Sequence, residues 1–177
     1  MMNLLFSPNG RIDQPTYWRG VLILLGISAA LSVISAFVSP FLGFLGIVFI
    51  WPWIAVHVKR FHDADKSGWL TIAMVVLAIV VSLVASMILP PLFGIDQIAQ
   101  QAEMQEEIER ASRGDPAAAF GAAMDASKSI AQANLLPSIL STAVVTGVVG
   151  AVMGLFKTDP NDNQYGPGPA GASVAFN

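Results

Sequence analysis

The residues best placed to do chemistry in this chain lie within one short stretch, Lys59-Arg60-Phe61-His62-Asp63-Ala64-Asp65-Lys66. His62 beside Asp63 supplies the groups of an acid–base pair, and His57, His62, Asp63 and Asp65 are ligand types that suit zinc. Spacing weighs against both uses. Positions 57 and 62 stand roughly 140° apart on a helix of 3.6 residues per turn, so the two imidazoles converge only if the backbone unwinds. His62 and Asp63 have no serine at a known triad spacing, and the chain contains no cysteine for a thiolate nucleophile, a metal site or a disulfide. No catalytic residue, metal or cofactor is expected. The chemistry left is electrostatic. An Arg60–Asp63 pair would hold a turn, while Arg60, His62, Asp63 and Lys66 form a polar cluster at a membrane surface, in reach of lipid headgroups.

A membrane is demanded by the elements around that stretch. Four apolar runs, at about 20–39, 41–58, 69–93 and 135–156, contain no Asp, Glu, Lys or Arg. About 20 apolar residues match the ~30 Å hydrocarbon core, and in lipid such a run must be a helix that satisfies its own backbone. With 54% hydrophobic and 12% charged residues over 177 positions, the composition lies outside the ordinary soluble class. The expectation is an all-α fold, a single membrane domain over 1–177 built as a bundle of four transmembrane helices. The first run is longer than the 7–15 apolar residues usual in a cleaved signal peptide, so it is read as a retained span.

Local signals set the ends. Asp13, Gln14 and Pro15 read as a helix start, and Ser39-Pro40 is a link short enough to force an antiparallel hairpin. Tyr17, Trp18 and Trp69 stand at span ends as interface anchors. Pro52 lies inside the second span, between Trp51 and Trp53, where both rings are expected to pack in the core or line a small apolar cavity. Residues 94–134 read as a polar helical loop of two helices, divided by Gly114 as a stop and Asp115-Pro116 as a start. The tail from Thr158, rich in Asn, Gly and Pro, is expected to be disordered over 158–177. Small residues recur every four positions at Ser28, Ser32 and Ala36, at Ala78, Ser82 and Ser86, and at Ala143 and Gly147, then Gly150 and Gly154. Such spacing lets helices approach closely, within the bundle more readily than across a dimer.

Charge gives the orientation. Arg11, Arg19, Lys59, Arg60, Lys66 and Lys157 fall on one side of a four-span chain, against Arg110, Arg113 and Lys128 on the other. Basic residues favour the cytoplasm, which places both termini inside and the acidic loop outside.

Three polar clusters share that basic side: Phe6-Ser7-Pro8-Asn9-Gly10-Arg11 with Tyr17-Trp18, Lys59-Arg60-Phe61-His62-Asp63 with Lys66-Ser67-Gly68-Trp69, and Asn163-Gln164-Tyr165-Gly166-Pro167. In this order they resemble the YhaH-like small inner-membrane proteins, the family of unknown function DUF805. The pattern there reads roughly F-x-x-x-G-R-x-x-R-x-x-Y/F-W, then K/R-R-L-H-D-x-x-K/R-S-G-W, then N-x-Y/F-G-P. Gln14 stands where a second Arg is usual, Phe61 replaces Leu, and Asp65 replaces a common Gly or Asn. The resemblance implies a multi-pass protein of the bacterial inner membrane and brings no established activity.

The role expected is that of a non-enzymatic structural or interaction protein, with membrane lipids and other membrane proteins as its neighbours and no nucleic acid. An accessory subunit of a transport or envelope-stress system is the main alternative, and an intramembrane enzyme using Arg60, His62 and Asp63 is a third. Sequence leaves the oligomeric state open. The three clusters are expected to meet in space, with Tyr165 packed on Arg11 or on the Arg60–Asp63 region. Arg11, Arg60 and Lys66 are the expected headgroup contacts.

Overall fold

Asp13 and Asp96 each open a long helix by accepting its free backbone amides. The computed structural model describes residues 2–113 and 116–168, which are mostly helical with no strand among them. A five-residue helix α1 (Met2–Phe6) precedes α2 (Gln14–Phe37), and a 3₁₀ segment, Pro40–Leu45, runs into α3 (Gly46–Asp63). A second 3₁₀ turn, Gly68–Leu70, opens α4 (Thr71–Leu92); α5 (Gln97–Ser112), α6 (Pro116–Ala133) and α7 (Leu135–Gly154) follow. Asp13 caps α2 as expected: its carboxylate accepts the Thr16 amide at 3.0 Å, and Pro15 sits in the first turn. Asp96 caps α5 in the same way, accepting the amides of Ile98 and Ala99. Gly114 and Asp115, the expected stop and cap before α6, lie outside the described residues.

Four segments are long and apolar enough to cross a membrane: Gln14–Phe37, Pro40–Asp63, Gly68–Leu92 and Leu135–Gly154. α2 packs on α3 and α7, α4 packs on α7, and α5 and α6 form a hairpin that touches α2. Large apolar side chains cover the outside of α4, with Ile72, Val76, Ile79 and Leu83 all exposed. That surface is costly in water and costs nothing against lipid tails.

The buried core gathers at one end of the bundle. Leu4, Leu5 and Ile12 from the N-terminal segment meet Tyr17, Val21 and Leu24 of α2, Val56 and Phe61 of α3, and Val149 and Met153 of α7. Tyr17 is therefore no interface anchor: it is 1% exposed, held inside by the segment that folds under it. Trp69, at 81% exposed, keeps the position of one. Trp51 lies outside the core, half exposed, and its indole N–H donates to the Phe6 carbonyl at 2.9 Å.

Two boundaries differ from expectation for one reason. α3 does not stop near Val58 but continues to Asp63, and the segment 158–168 is docked although it has no helix. Lys59, Arg60 and Asp63 find partners inside the protein, so the last turn of α3 need not unwind into solvent.

Candidate functional site

α3 carries the site to the end of the bundle and stops in a way its sequence explains. Asp65 adopts the left-handed region at φ 50°. Its amide donates to His62 O (3.1 Å), and the Lys66 amide donates to Phe61 O (2.9 Å), the double closure of a Schellman cap. Glycine or asparagine is favoured at such a position, and an aspartate there is strained. Asp65→Gly should therefore raise stability by about 1 kcal/mol, read as a higher midpoint of thermal unfolding followed by tryptophan fluorescence in detergent. An unchanged or lowered midpoint would show that Asp65 makes up the strain elsewhere. Gly68 has a separate reason. A Cβ there would meet Val58 and His62 at 2.8 and 3.0 Å, so only glycine lets the turn fold back on α3.

Arg11, Arg60 and Asp63 form one buried cluster, 3%, 0% and 2% exposed. Arg11 Nε donates to Asp63 Oδ1 at 3.1 Å. Arg60 Nη1 pairs with Asp63 Oδ2, and the Thr158 hydroxyl, accepting from Arg60 Nη1 (3.1 Å), donates to the same oxygen at 2.7 Å. Other guanidinium donors turn to backbone carbonyls of α3, of the residues just after α7 and of the tail. Arg11 Nη1 reaches Asn161 O (2.7 Å), Arg11 Nη2 reaches Asp159 O and Asp63 O, and Arg60 Nη2 reaches Phe156 O. Arg60 Nε is buried without a partner among the described residues. The Asp159 amide completes the clasp by donating to Asp63 O at 2.8 Å.

Two further contacts tie the N-terminal segment and the tail to α3. Lys59, 0% exposed, donates through Nζ to the carbonyls of Asn3 (2.8 Å) and Leu4 at the end of α1, with no carboxylate partner among the described residues. His62 Nδ1 lies 3.0 Å from Gly10 O; a carbonyl only accepts, so Nδ1 carries the proton. The Tyr165 ring stacks on His62 with centroids 3.7 Å apart and planes 4° from parallel. Asn163 Nδ2 donates to His62 O (3.0 Å), and Asn163 and Gly166 exchange backbone bonds, with Gly166 at φ 145° closing the turn. The three sequence clusters thus meet, and Tyr165 does so through His62.

This geometry corrects the expected headgroup contacts. Arg11 and Arg60 are buried, and their donors serve Asp63 and the tail, so neither is free for a phosphate. Of the three, Lys66 alone remains exposed, and Arg19 and Lys157 are the other exposed basic residues at this end. No group of three or more His, Asp or Glu side chains among the described residues is placed to hold a metal.

Sequence reasoning missed three participants: Thr158, Asp159 and Asn161. Thr158 acts through its hydroxyl, whereas Asp159 and Asn161 reach the cluster through backbone groups, which leave no side-chain pattern to read. A family model of a protein of unknown function spans residues 5–167, from Leu5 in the core to Pro167 beyond the Tyr165 turn. The chain belongs to the DUF805 family. All three clusters that meet at the end of α3 fall within the matched span, whereas the final residues of this DUF805 chain do not. No curated protein and no solved structure matches it.

One more polar contact lies deeper. His57 Nδ1 faces Trp53 O at 2.7 Å, which places its proton there, and Nε2 accepts from the Tyr17 hydroxyl at 3.2 Å. Tyr17 thereby satisfies a histidine that would otherwise sit unpaired within the second span.

Proposed function

We propose that this DUF805 protein is a non-enzymatic structural or interaction protein of the bacterial inner membrane, with both termini in the cytoplasm. The observation that carries the reading is that the carboxylate of Asp63 and most of the guanidinium donors of Arg11 and Arg60 are spent on one another and on the backbone. Asp63 is enclosed by two guanidinium groups and a hydroxyl, and His62 is fixed by Gly10 O on its edge and Tyr165 on its face. A general acid–base pair needs a carboxylate free to partner the imidazole, and the enclosed Asp63 offers His62 none. Here those groups join three chain segments into a plug at the end of the bundle. The surface such a plug offers to lipid or protein is basic through Arg19, Lys66 and Lys157.

Orientation rests on the six-to-three division of Lys and Arg between the two sides. Reporter fusions placed after Asn177 and within residues 94–134 should give cytoplasmic and periplasmic signals respectively. A periplasmic C-terminus would move the basic plug to the other face and remove its access to the anionic inner leaflet. Photoreactive residues at Lys66 and Lys157 should then capture membrane neighbours in cells. If crosslinks were absent there while a substrate was turned over in a manner lost in His62→Gln, the enzymatic reading would replace this one.

A further inference from the structure

A gap is left between α3, α4 and α7. α3 and α4 are consecutive, yet α3 packs chiefly on α2 and α4 on α7, so little closes the space between them. The resulting cavity measures about 320 Å³, and its wall is largely apolar, with Trp53, Met74, Ala78, Val145 and Val149 among the lining residues. Along α4 the lining runs from Thr71 to Ser82, roughly 16 Å at 1.5 Å per residue.

Thr71 gives the cavity a polar end. It is 5% exposed, and its hydroxyl is buried with no hydrogen-bond partner among the described residues. Leaving such a group unpaired is costly in a low-dielectric site. The neighbouring lining residue His57 cannot serve it, because both ring nitrogens are taken by Trp53 O and Tyr17. Nor does the lining contain Asp, Glu, Lys or Arg, which argues for an uncharged acceptor. Thr71 lies two residues after the exposed Trp69, at the end of the span where a bilayer places the acyl carbonyls.

We infer that this cavity binds one acyl chain, with its acyl carbonyl accepting a hydrogen bond from Thr71 and its methylenes running along α4 toward Ser82. The polar requirement is met at one end and the apolar requirement along the rest, in the solvent that surrounds these helices. The inference rests on the membrane placement proposed above and is independent of orientation. A phospholipid of the bilayer and a free fatty acid both present this chemistry.

The test uses the full chain reconstituted in vesicles of phosphatidylethanolamine and phosphatidylglycerol. One arm contains phosphatidylethanolamine with a mid-chain diazirine, and the other contains palmitic acid with the same group. After irradiation, peptide mass spectrometry should find label inside the cavity, at Met74, Ala78 or Val145, as well as on the outward residues Ile79 and Leu83. Labelling by the phospholipid probe identifies a bilayer lipid, labelling by the acid alone identifies a free fatty acid, and either upholds the site. Ala78→Phe fills the cavity and should reduce inward labelling to background while outward labelling is unchanged. Thr71→Val should lower inward labelling about threefold to tenfold, the worth of one hydrogen bond, and Thr71→Ser should preserve it. Equal inward labelling in wild type and Ala78→Phe, or label confined to Ile79 and Leu83, would overturn the site. Loss of label from the outward residues too would instead strike at the membrane placement itself.

Discussion

Replacing Asp63 with alanine is expected to cost about 3–5 kcal/mol of stability, because it leaves two buried guanidinium groups without their carboxylate. Arg11 and Arg60 are 3% and 0% exposed, so water cannot take over without opening the end of the bundle. The four native tryptophans provide the signal: the thermal midpoint in detergent should fall steeply. Limited proteolysis should also cut within 158–168, because the Thr158 hydroxyl loses its acceptor and the Arg11 guanidinium that holds Asp159 O and Asn161 O loses the carboxylate that places it. A loss below about 1 kcal/mol, the range of an exposed ion pair, would mean that the cluster is hydrated in solution. A triple replacement separates two roles. Arg11→Met, Arg60→Leu and Asp63→Leu together remove every buried charge of the cluster, and such exchanges are often neutral or stabilising. The triple variant should recover most of the thermal stability lost by Asp63→Ala and still release the tail, since Asp159 O and Asn161 O lose the Arg11 donors. On that outcome the ion cluster fixes where the tail docks more than it holds the bundle together.

Gly150→Leu should be the next most damaging single change, at about 1–3 kcal/mol from overpacking. The position that a Cβ would occupy at Gly150 is filled by the Trp18 ring, so α2 and α7 can meet there only without a side chain. Gly147 is the internal control. It is exposed, and nothing lies within 4 Å of its Cβ position, so Gly147→Leu should stay within about 0.5 kcal/mol. The same tryptophan melts serve both variants. If Gly147→Leu were the more harmful and also changed the oligomeric mass in detergent, the small residues of α7 would belong to a contact between chains. Equal tolerance at both positions would mean that Trp18 swings aside.

Trp18 also shows how far pattern reading reaches. Its place at the start of a span was legible, yet its ring packs against α7, and its neighbour Tyr17, with the same sequence signature, is buried outright. Position relative to an apolar run says how deep a ring lies, and says nothing about which side of the helix the chain will later cover. The N-terminal segment does the covering here, through Leu4, Leu5 and Ile12. Its attachment depends on Lys59 reaching the Asn3 and Leu4 carbonyls, a bond between positions more than fifty apart.

By itself the sequence determined the four spans, because each needs only about 20 apolar residues without charge, a property of local composition in lipid. It determined the start of α2 at Asp13 as well, since capping is settled within three or four residues. The motif at 59–69 marked the right residues, and the Tyr165 turn was correctly drawn toward them. Only the tertiary structure decided what those residues do. Whether the Arg60–Asp63 pair stays open to a phosphate or is shut away depends on where Arg11 and Thr158 arrive, from 49 positions before Arg60 and 98 after it. Desolvation then makes the arrangement exclusive: a guanidinium shut away from water must bond to what the fold places beside it. The carbonyls that complete the cluster belong to the backbone, which is identical at every residue and so leaves no mark in a sequence.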